Sequence, residues 1–230
     1  MRILAADTTT SINTVALCEK DRVLAETFVD CGRRHSERLM ATVDWILTEA
    51  GMPLDEVQAL AISIGPGSFT GLRVGAAAWK GLAFAKNLPL VAVPTLDAMT
   101  HLSAFRNAVV CTLLDAKMGE VFGAVYQFED GRRSKTQPDR VCAVERIVEG
   151  MTGEVIFLGD GATRYRERIE SVVPGAVFAP STCSRPRASA VAAEAFNLLA
   201  RGACADPALV APVYLREAQA SVPRQSVAAP

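Results

Sequence analysis

The sequence predicts an α/β protein built from two similar lobes. A strand-like apolar run that ends in aspartate and is followed by a hairpin occurs twice, first at residues 3–6 with Asp7 and again at residues 108–114 with Asp115. In the first half, buried-strand patterns alternate with helical periodicity, as in a layered α/β unit. The 230 residues are 50% hydrophobic, enough for one large core or two smaller ones. A repeat this long fits a duplicated lobe better than a solenoid. Chance similarity of two strand–hairpin units would leave the same pattern.

In chain order, residues 3–6 read as a buried strand, and residues 13–18 and 22–29 as two more, joined by a polar turn at residues 19–21. From residue 35 to 50 the period changes. Leu39, Val43, Ile46 and Ala50 mark a helical stripe, Met40 and Leu47 widen it, and Gly51 is a natural stop. Residues 57–64 form another buried strand leading into Gly65-Pro66-Gly67-Ser68. A second helix is expected over residues 69–86 and a short strand over 90–93. The second half begins with strands at 108–114 and 121–128, the latter meeting a turn at Asp130-Gly131. Beyond it, residues 155–158 read as a strand before Gly159-Asp160-Gly161, and residues 187–201 as an alanine-rich helix stopped by Gly202. We divide the chain into an N-terminal lobe (1–103), a C-terminal lobe (104–216) and a disordered tail (217–230) that has few large apolar groups and two prolines.

Charge is balanced, with 24 Lys and Arg against 25 Asp and Glu. A free-standing nucleic-acid binder usually carries a basic excess, because phosphate neutralisation drives its affinity. The six cysteines form no CxxC motif, and Cys18 and Cys111 lie in apolar strand runs, which reads as buried thiols in a reducing compartment. The start MRILAAD is too short in apolar residues for a signal peptide, and Lys80 and Lys86 break the richest apolar stretch below the ~18 residues of a membrane span. A cytoplasmic, soluble protein with no membrane association is expected.

Two motifs could carry chemistry. In GPGSFTGLRVG, residues 65–75, glycines after a strand allow a tight turn whose N–H groups approach an anion at a helix N-terminus. The motif lacks the Lys-Ser/Thr pair of a Walker A loop. It equally fits a tight strand-to-helix turn with Ser68 as N-cap. The small residues that follow, Gly71, Gly75, Ala76, Ala77, Ala78, Gly81 and Ala83, suggest close packing by another helix. The second motif is the pair Asp7-Thr8-Thr9 and Asp115-Ala116-Lys117. Actin-like and sugar-kinase ATPases place Asp and a following glycine in such hairpins, and here neither Asp has the glycine. A damaged phosphate site and two turn-capping aspartates both fit. His35 and His101 make no metal-ligand pair, Ser68 lies in no GxSxG elbow, and His35 at a helix start fits a capping or exposed role.

GPGSFTGLRVG (65–75), DAKMGEVF (115–122) and VYLR (213–216), with ILAADTTT at the start and HSERL at 35–39, resemble the TsaB family, also called YeaZ. The matches span most of the chain. Lys117 stands where Arg is usual and Phe122 where Tyr is usual. The resemblance implies an actin-like (ASKHA, ribonuclease H-like) duplicated two-lobe fold. It implies a non-catalytic scaffold subunit that binds TsaD, with TsaE joining, and forms a homodimer when alone. TsaD transfers threonylcarbamoyl from threonylcarbamoyl-AMP to N6 of adenosine 37 in tRNAs reading codons that begin with A, and tRNA is engaged within the complex. TsaD-like proteins hold a metal with two histidines four residues apart; the corresponding positions here are Thr95 and Met99, neither a strong ligand.

The docking surface is expected on the two N-lobe helices, at Leu39, Met40, Val43, Leu72, Arg73, Gly75, Ala76 and Lys80, because small residues let helix axes approach closely. Asp7, Gly65, Gly67, Ser68, Asp115, Gly159 and Gly161 are expected to form vestigial nucleotide or structural loops. No catalytic residue, metal or cofactor is expected on the isolated chain, with room for a nucleotide at a complex interface. The alternative is an actin-like ATPase, or a glycoprotease-like peptidase, acting alone. Arg33, Arg34 and Arg38 could touch tRNA in a complex or form a solvated face.

Overall fold

The computed structural model describes residues 1–20, 22–30, 32 and 35–216, with the backbone only at His35 and Ser36. Arg33, Arg34, the last residue of the 19–21 turn and the tail lie outside the described residues.

Strands β1 (Arg2–Asp7), β2 (Ile12–Glu19) and β3 (Arg22–Asp30) precede helix α1 (His35–Glu49). Strand β4 (Ala59–Gly65), helix α2 (Phe69–Lys86) and strand β5 (Leu90–Pro94) complete a five-stranded sheet of order β3-β2-β1-β4-β5. β1 pairs antiparallel with β2 and parallel with β4. A short helix α3 (Thr95–Met99) and a 3-10 turn at Thr100–Leu102 lead to β6 (Ala108–Lys117), β7 (Glu120–Glu129) and β8 (Arg132–Ala143). Helix α4 (Val144–Val148), strand β9 (Val155–Leu158), helices α5 (Asp160–Arg164) and α6 (Arg166–Val172), strand β10 (Ala176–Phe178) and helix α7 (Ala188–Ala200) follow. The second sheet has order β10-β9-β6-β7-β8, with β6 antiparallel to β7 and parallel to β9. β6 therefore occupies the place of β1, and the duplicated pattern in the sequence is a duplicated topology.

The uninterrupted apolar run of β1 follows from burial on both faces. Leu4 and Ala6 meet Leu39, Val43, Ile46 and Trp79 beneath α1 and α2. Ile3 and Ala5 face the other way, with Ala16, Ala59 and Ala61, onto α7. That face is mostly alanine, and α7 offers Ala188, Ala192 and Ala195 in return, so the helix seats close to the strands. Side chains of the first sheet satisfy its N-terminal N–H groups. Ala188 N–H donates to Thr14 Oγ1 (3.2 Å) and Ser189 N–H to Glu26 Oε1 (3.0 Å). So α7 follows the second sheet in the chain yet packs on the first. α3 lies between the sheets, with Ala98 in the first sheet's core and Leu96 and Met99 in the second's.

β8 is the longest strand among the described residues, and no periodic pattern announces it. RRSKTQPDRVCA is polar and contains Pro138. As an edge strand it needs no continuous apolar face, and Pro138 falls in the register break between the pairs Gly123–Arg140 and Val125–Gln137. Among the described residues no helix is long and apolar enough to cross a membrane.

Candidate functional site

A cleft of about 1020 Å³ separates the lobes. Thr9 to Ser11 and the glycine turn line one side, Asp115 to Lys117 with Asp160 and Arg164 the other, and Val213 to Arg216 run along its mouth. The structure thus gathers Gly67, Ser68 and Asp115 around one cleft, from segments far apart in sequence, while Asp7 is buried behind Thr9.

On the first-lobe side the turn is filled by the chain itself. Asp7 is fully buried, and its Oδ1 accepts from the Thr9 N–H (2.9 Å) and Thr9 Oγ1 (2.8 Å). The Ser68 N–H donates to Thr9 O (2.6 Å), so a donor that an open anion cradle would need is engaged. A Cβ at Gly67 would lie 2.5 Å from Thr9 Cβ, and one at Gly71 only 1.9 Å from Thr8 O. These glycines admit the β1–β2 loop. Gly65, at φ +120°, ends β4 and is joined to Pro66 by a cis peptide bond. Ser68 is the N-cap of α2, its Oγ accepting from the Gly71 N–H at 3.3 Å.

Across the cleft, Asp115 is paired with its own chain's cations. Oδ2 lies 2.7 Å from Lys117 Nζ and 3.7 Å from Arg164 Nη1, and Oδ1 accepts from the Lys117 N–H (2.9 Å). Burial pushes the Asp115 carboxyl up, and the hydrogen bonds and charge of Lys117, with Arg164, outweigh it, leaving the group below the usual carboxylate range. Asp160 is the reverse. Burial dominates and raises it, although its Oδ1 accepts from the Asp115 N–H (2.9 Å) and Arg185 lies 3.7 Å away. Gly161 packs on β6, where an added Cβ would meet the Leu113 and Leu114 backbone at 3.0 Å. Gly159, at φ +103° and two residues earlier, lies closer still: a Cβ there would fall 2.0 Å from Leu113 O.

The helix face requires a correction. Leu39, Val43, Leu72, Gly75 and Ala76 point into their own lobe. A Cβ at Gly75 would lie 2.5 Å from Thr8 Oγ1 and 3.1 Å from Ile62 Cδ1. Gly71, Gly75 and Ala76 are small because this face of α2 packs on β4 and on the β1–β2 loop of its own lobe. A large residue at Gly75 or Ala76 would disturb folding before it could report on docking. Lys80 is tied down by donating to Ala208 O (3.1 Å) and Val210 O (3.0 Å). Arg73 lies 3.8 Å over the Phe69 ring and donates to Tyr214 Oη (3.0 Å). The outward face is a different set: Met40 and Trp45 on α1, and Ala77, Gly81 and Phe84 on α2. Trp45 is 51% exposed and Phe84 61%. A groove of about 490 Å³ is lined by Met40 and by Val43, Leu47, Met52, Leu54 and Leu82, so two of the predicted residues, Met40 and Val43, border it. The sequence signal for Trp45 was its position off the Leu39–Val43–Ile46 stripe.

Thr95 and Met99 are fully buried in α3. Among the described residues no three His, Cys, Asp or Glu side chains come together as a metal site.

Two sheets of equivalent topology, joined through α3 and α7 about a cleft, define an actin-like two-lobed protein. A solved structure described as the ethanolamine utilization protein EutJ from Carboxydothermus hydrogenoformans shares this fold, with a TM-score of 0.53 at 12% identity over 84% of this chain and 90% of that one. The family model described as "TsaD: tRNA N6-adenosine threonylcarbamoyltransferase" matches residues 29–224. Within that wider group, the chain is 35% identical to the Escherichia coli "tRNA threonylcarbamoyladenosine biosynthesis protein TsaB" over 94% of this chain and 95% of that protein. A Pseudomonas aeruginosa structure, described as an uncharacterized protein with similarity to peptidase YEAZ, matches with a TM-score of 0.81 at 32% identity, covering 94% of this chain and 99% of that one. This chain belongs to the TsaB (YeaZ) family.

Proposed function

We propose that this chain is a non-catalytic scaffold subunit in the formation of N6-threonylcarbamoyladenosine in tRNA, working in the cytoplasm with TsaD as catalytic partner and TsaE as a third component. The observation that carries the reading is the state of the cleft. Thr8 and Thr9 pack against the glycine turn, and Lys117 and Arg164 pair with Asp115. A nucleotide phosphate would have to displace Thr9 from the Ser68 N–H, and a magnesium ion would compete with Lys117 for Asp115. The family relation to TsaB proteins supplies the pathway.

The partner surface is the outward face of α1 and α2, with Met40, Trp45 and Phe84 as anchors and the adjoining groove as a socket for an apolar side chain. Large aromatic residues in such positions dominate interface energies. The same face serves for self-association when TsaD is absent. The net charge of −1 fits tRNA being held by the assembled complex rather than by this chain alone. In this reading residues 1–103 and 104–216 are the two lobes, with α7 lent by the second to the first.

The test is co-purification with TsaD of the Trp45→Asp/Phe84→Asp double variant. Both side chains are more than half exposed, so the variant is expected to keep the thermal midpoint of the wild type. Affinity for TsaD should fall at least ~100-fold, the scale of two lost aromatic anchors, and tRNA modification in the reconstituted system should fall with it. Unchanged affinity would remove this surface from the reading. The size of the cleft favours a second reading, an ATPase acting alone. Calorimetry with ATP and Mg²⁺ separates the two, because micromolar binding that is lost in Asp7→Ala would support the ATPase.

A further inference from the structure

A charged network joins α3 and α7 to the second sheet, and the scaffold role does not call for it. Its centre is Glu194 on α7, 2% exposed and the one charged residue between Ala188 and Ala200. Its Oε1 accepts from Arg133 Nη2 on β8 at 2.7 Å. Its Oε2 lies 2.6 Å from His101 Nε2 in the 3-10 turn after α3. Arg133 is also bound through Nη1, which donates to Asp97 O and Thr100 Oγ1, both at 2.8 Å. Asp97 Oδ1 in turn accepts from Tyr126 Oη on β7 (2.7 Å) and Lys135 Nζ on β8 (2.5 Å), and Lys135 reaches Asp139 at 2.8 Å. Arg133 and Lys135 are two apart on one strand and so share the face that looks at α3.

The placement of this network matters more than its size. The chain passes between the sheets at α3 and returns to the first sheet as α7. Asp97 in α3 is bound to Tyr126 on β7 and Lys135 on β8, and Glu194 in α7 to Arg133 on β8, through charge-assisted hydrogen bonds, the strong kind. Rotating one sheet against the other would pull Arg133 from Glu194 and leave a carboxylate buried without its main partner, which is costly in a low-dielectric interior. A second tie spans the cleft mouth. Val213 N–H donates to Ile64 O (2.7 Å) at the end of β4, and three residues later Arg216 contacts Glu120 and donates to Ala116 O (3.1 Å) on the second sheet. The lobes are thus tied together at two places, through the Glu194 cluster and through residues 213–216.

We propose that the Glu194–Arg133–His101 cluster is a conformational clamp that fixes the angle between the lobes, so that the molecule presents one rigid surface and its cleft does not open and close. The clamp does not depend on which partner binds or on the scaffold reading.

The test is single-molecule energy transfer in the full chain, with fluorophores carried by unnatural amino acids at Ala41 on α1 and Glu149 after α4, both exposed positions in different lobes. Wild type should give one narrow distance distribution that ATP with Mg²⁺ leaves unmoved. Glu194→Gln should broaden or split it, and should speed amide exchange at residues 95–102 and 188–200 at least tenfold while α1 and α4 stay as in wild type. A broad wild-type distribution overturns the clamp, and that measurement needs no variant. So does a Glu194→Gln protein that stays narrow, or one whose exchange rises equally everywhere, since that would be plain loss of stability. Should Glu194→Gln not fold, Lys135→Met cuts the Asp97 branch, with the same readings and a smaller change. Loss of TsaD binding, the failure mode of the scaffold surface, is read in a separate assay.

Discussion

The two lobes share one strand topology and differ in what stands behind it. In each, the central strand carries, at or near its end, an aspartate whose Oδ1 accepts the N–H two residues on, from Thr9 after Asp7 and from Lys117 after Asp115, both at 2.9 Å. In each, a glycine at positive φ closes the neighbouring parallel strand, Gly65 in one and Gly159 in the other. Past that point they part. The first lobe launches an 18-residue helix whose glycines admit the β1–β2 loop, and the second a five-residue helix followed by one of seven. The first lobe's aspartate is sealed by threonines, and the second's faces the cleft with a lysine and an arginine. The same kind of turn therefore has different partners in the two lobes. The first copy has gone to packing and the second to ion pairing.

The largest effect should come from the glycine that differs most between the copies. Gly71→Ala places a Cβ 1.9 Å from the Thr8 carbonyl, backbone against backbone, with no flexible side chain to yield. We expect destabilisation of about 3 kcal/mol, near the upper end for overpacking, against a helix-propensity gain of under ~1 kcal/mol. The matching change in the second lobe, Gly161→Ala, meets backbone at 3.0 Å and should cost about 1 kcal/mol. Urea denaturation of both variants measures the difference, and equal costs would mean that the two turns are packed alike.

Much of this contrast was legible in the sequence. The period change at residue 35, the Gly-Pro-Gly turn, the Ser68 cap and the paired aspartates each rest on local spacing, and local spacing survives folding. The direction of the α2 stripe was not legible. Small residues signal a close neighbour but do not say whether it is the helix's own sheet or another protein, and Gly75 lies against Thr8 and Ile62 of its own lobe. Short elements such as α3 and the polar edge strand β8 left no periodic trace. The Glu194 cluster joins residues 61 and 93 positions apart. Its signal was a lone glutamate in an otherwise uncharged helix, a residue type rarely buried without a partner.

The Glu194 cluster joins the two lobes, and its charge should show in the pH dependence of stability. Burial pushes the Glu194 carboxyl up, and the hydrogen bonds and charges of His101 and Arg133 outweigh it, so its folded pKa lies below the ordinary value. A depressed carboxylate contributes stability above the unfolded pKa, about 4.3 for glutamate, and loses it as pH falls through the folded value. Arg133→Met should therefore cost about 3 kcal/mol at pH 7, the scale of a broken buried pair. The gap from wild type should narrow once the pH drops below 4. A gap that stays constant down to pH 3 would show that Arg133 acts through packing on Tyr126 rather than through charge.

The smallest expected effect tests the aspartates themselves. Asp7→Ala strands the Thr9 N–H and hydroxyl in a place without solvent access, since Asp7 and Thr9 are 0% and 2% exposed. An unmet buried donor costs about 1–3 kcal/mol. Asp115→Ala frees Lys117, whose side chain is 76% exposed, so water replaces the lost carboxylate. Screened pairs of this kind contribute under about 1 kcal/mol. The Asp115 contribution should also shrink at high salt and fade as pH falls below the unfolded aspartate pKa of about 3.9, because this carboxyl too is held below its ordinary range. Asp7→Ala should respond less to salt, because Asp7 is fully buried. Thermal denaturation of both variants at about 0.05 and 0.5 M NaCl, two regimes of Debye length, separates the outcomes. If Asp115→Ala proved the costlier and insensitive to salt, the second-lobe turn would be the sealed one, and the division of labour between the copies would run the other way.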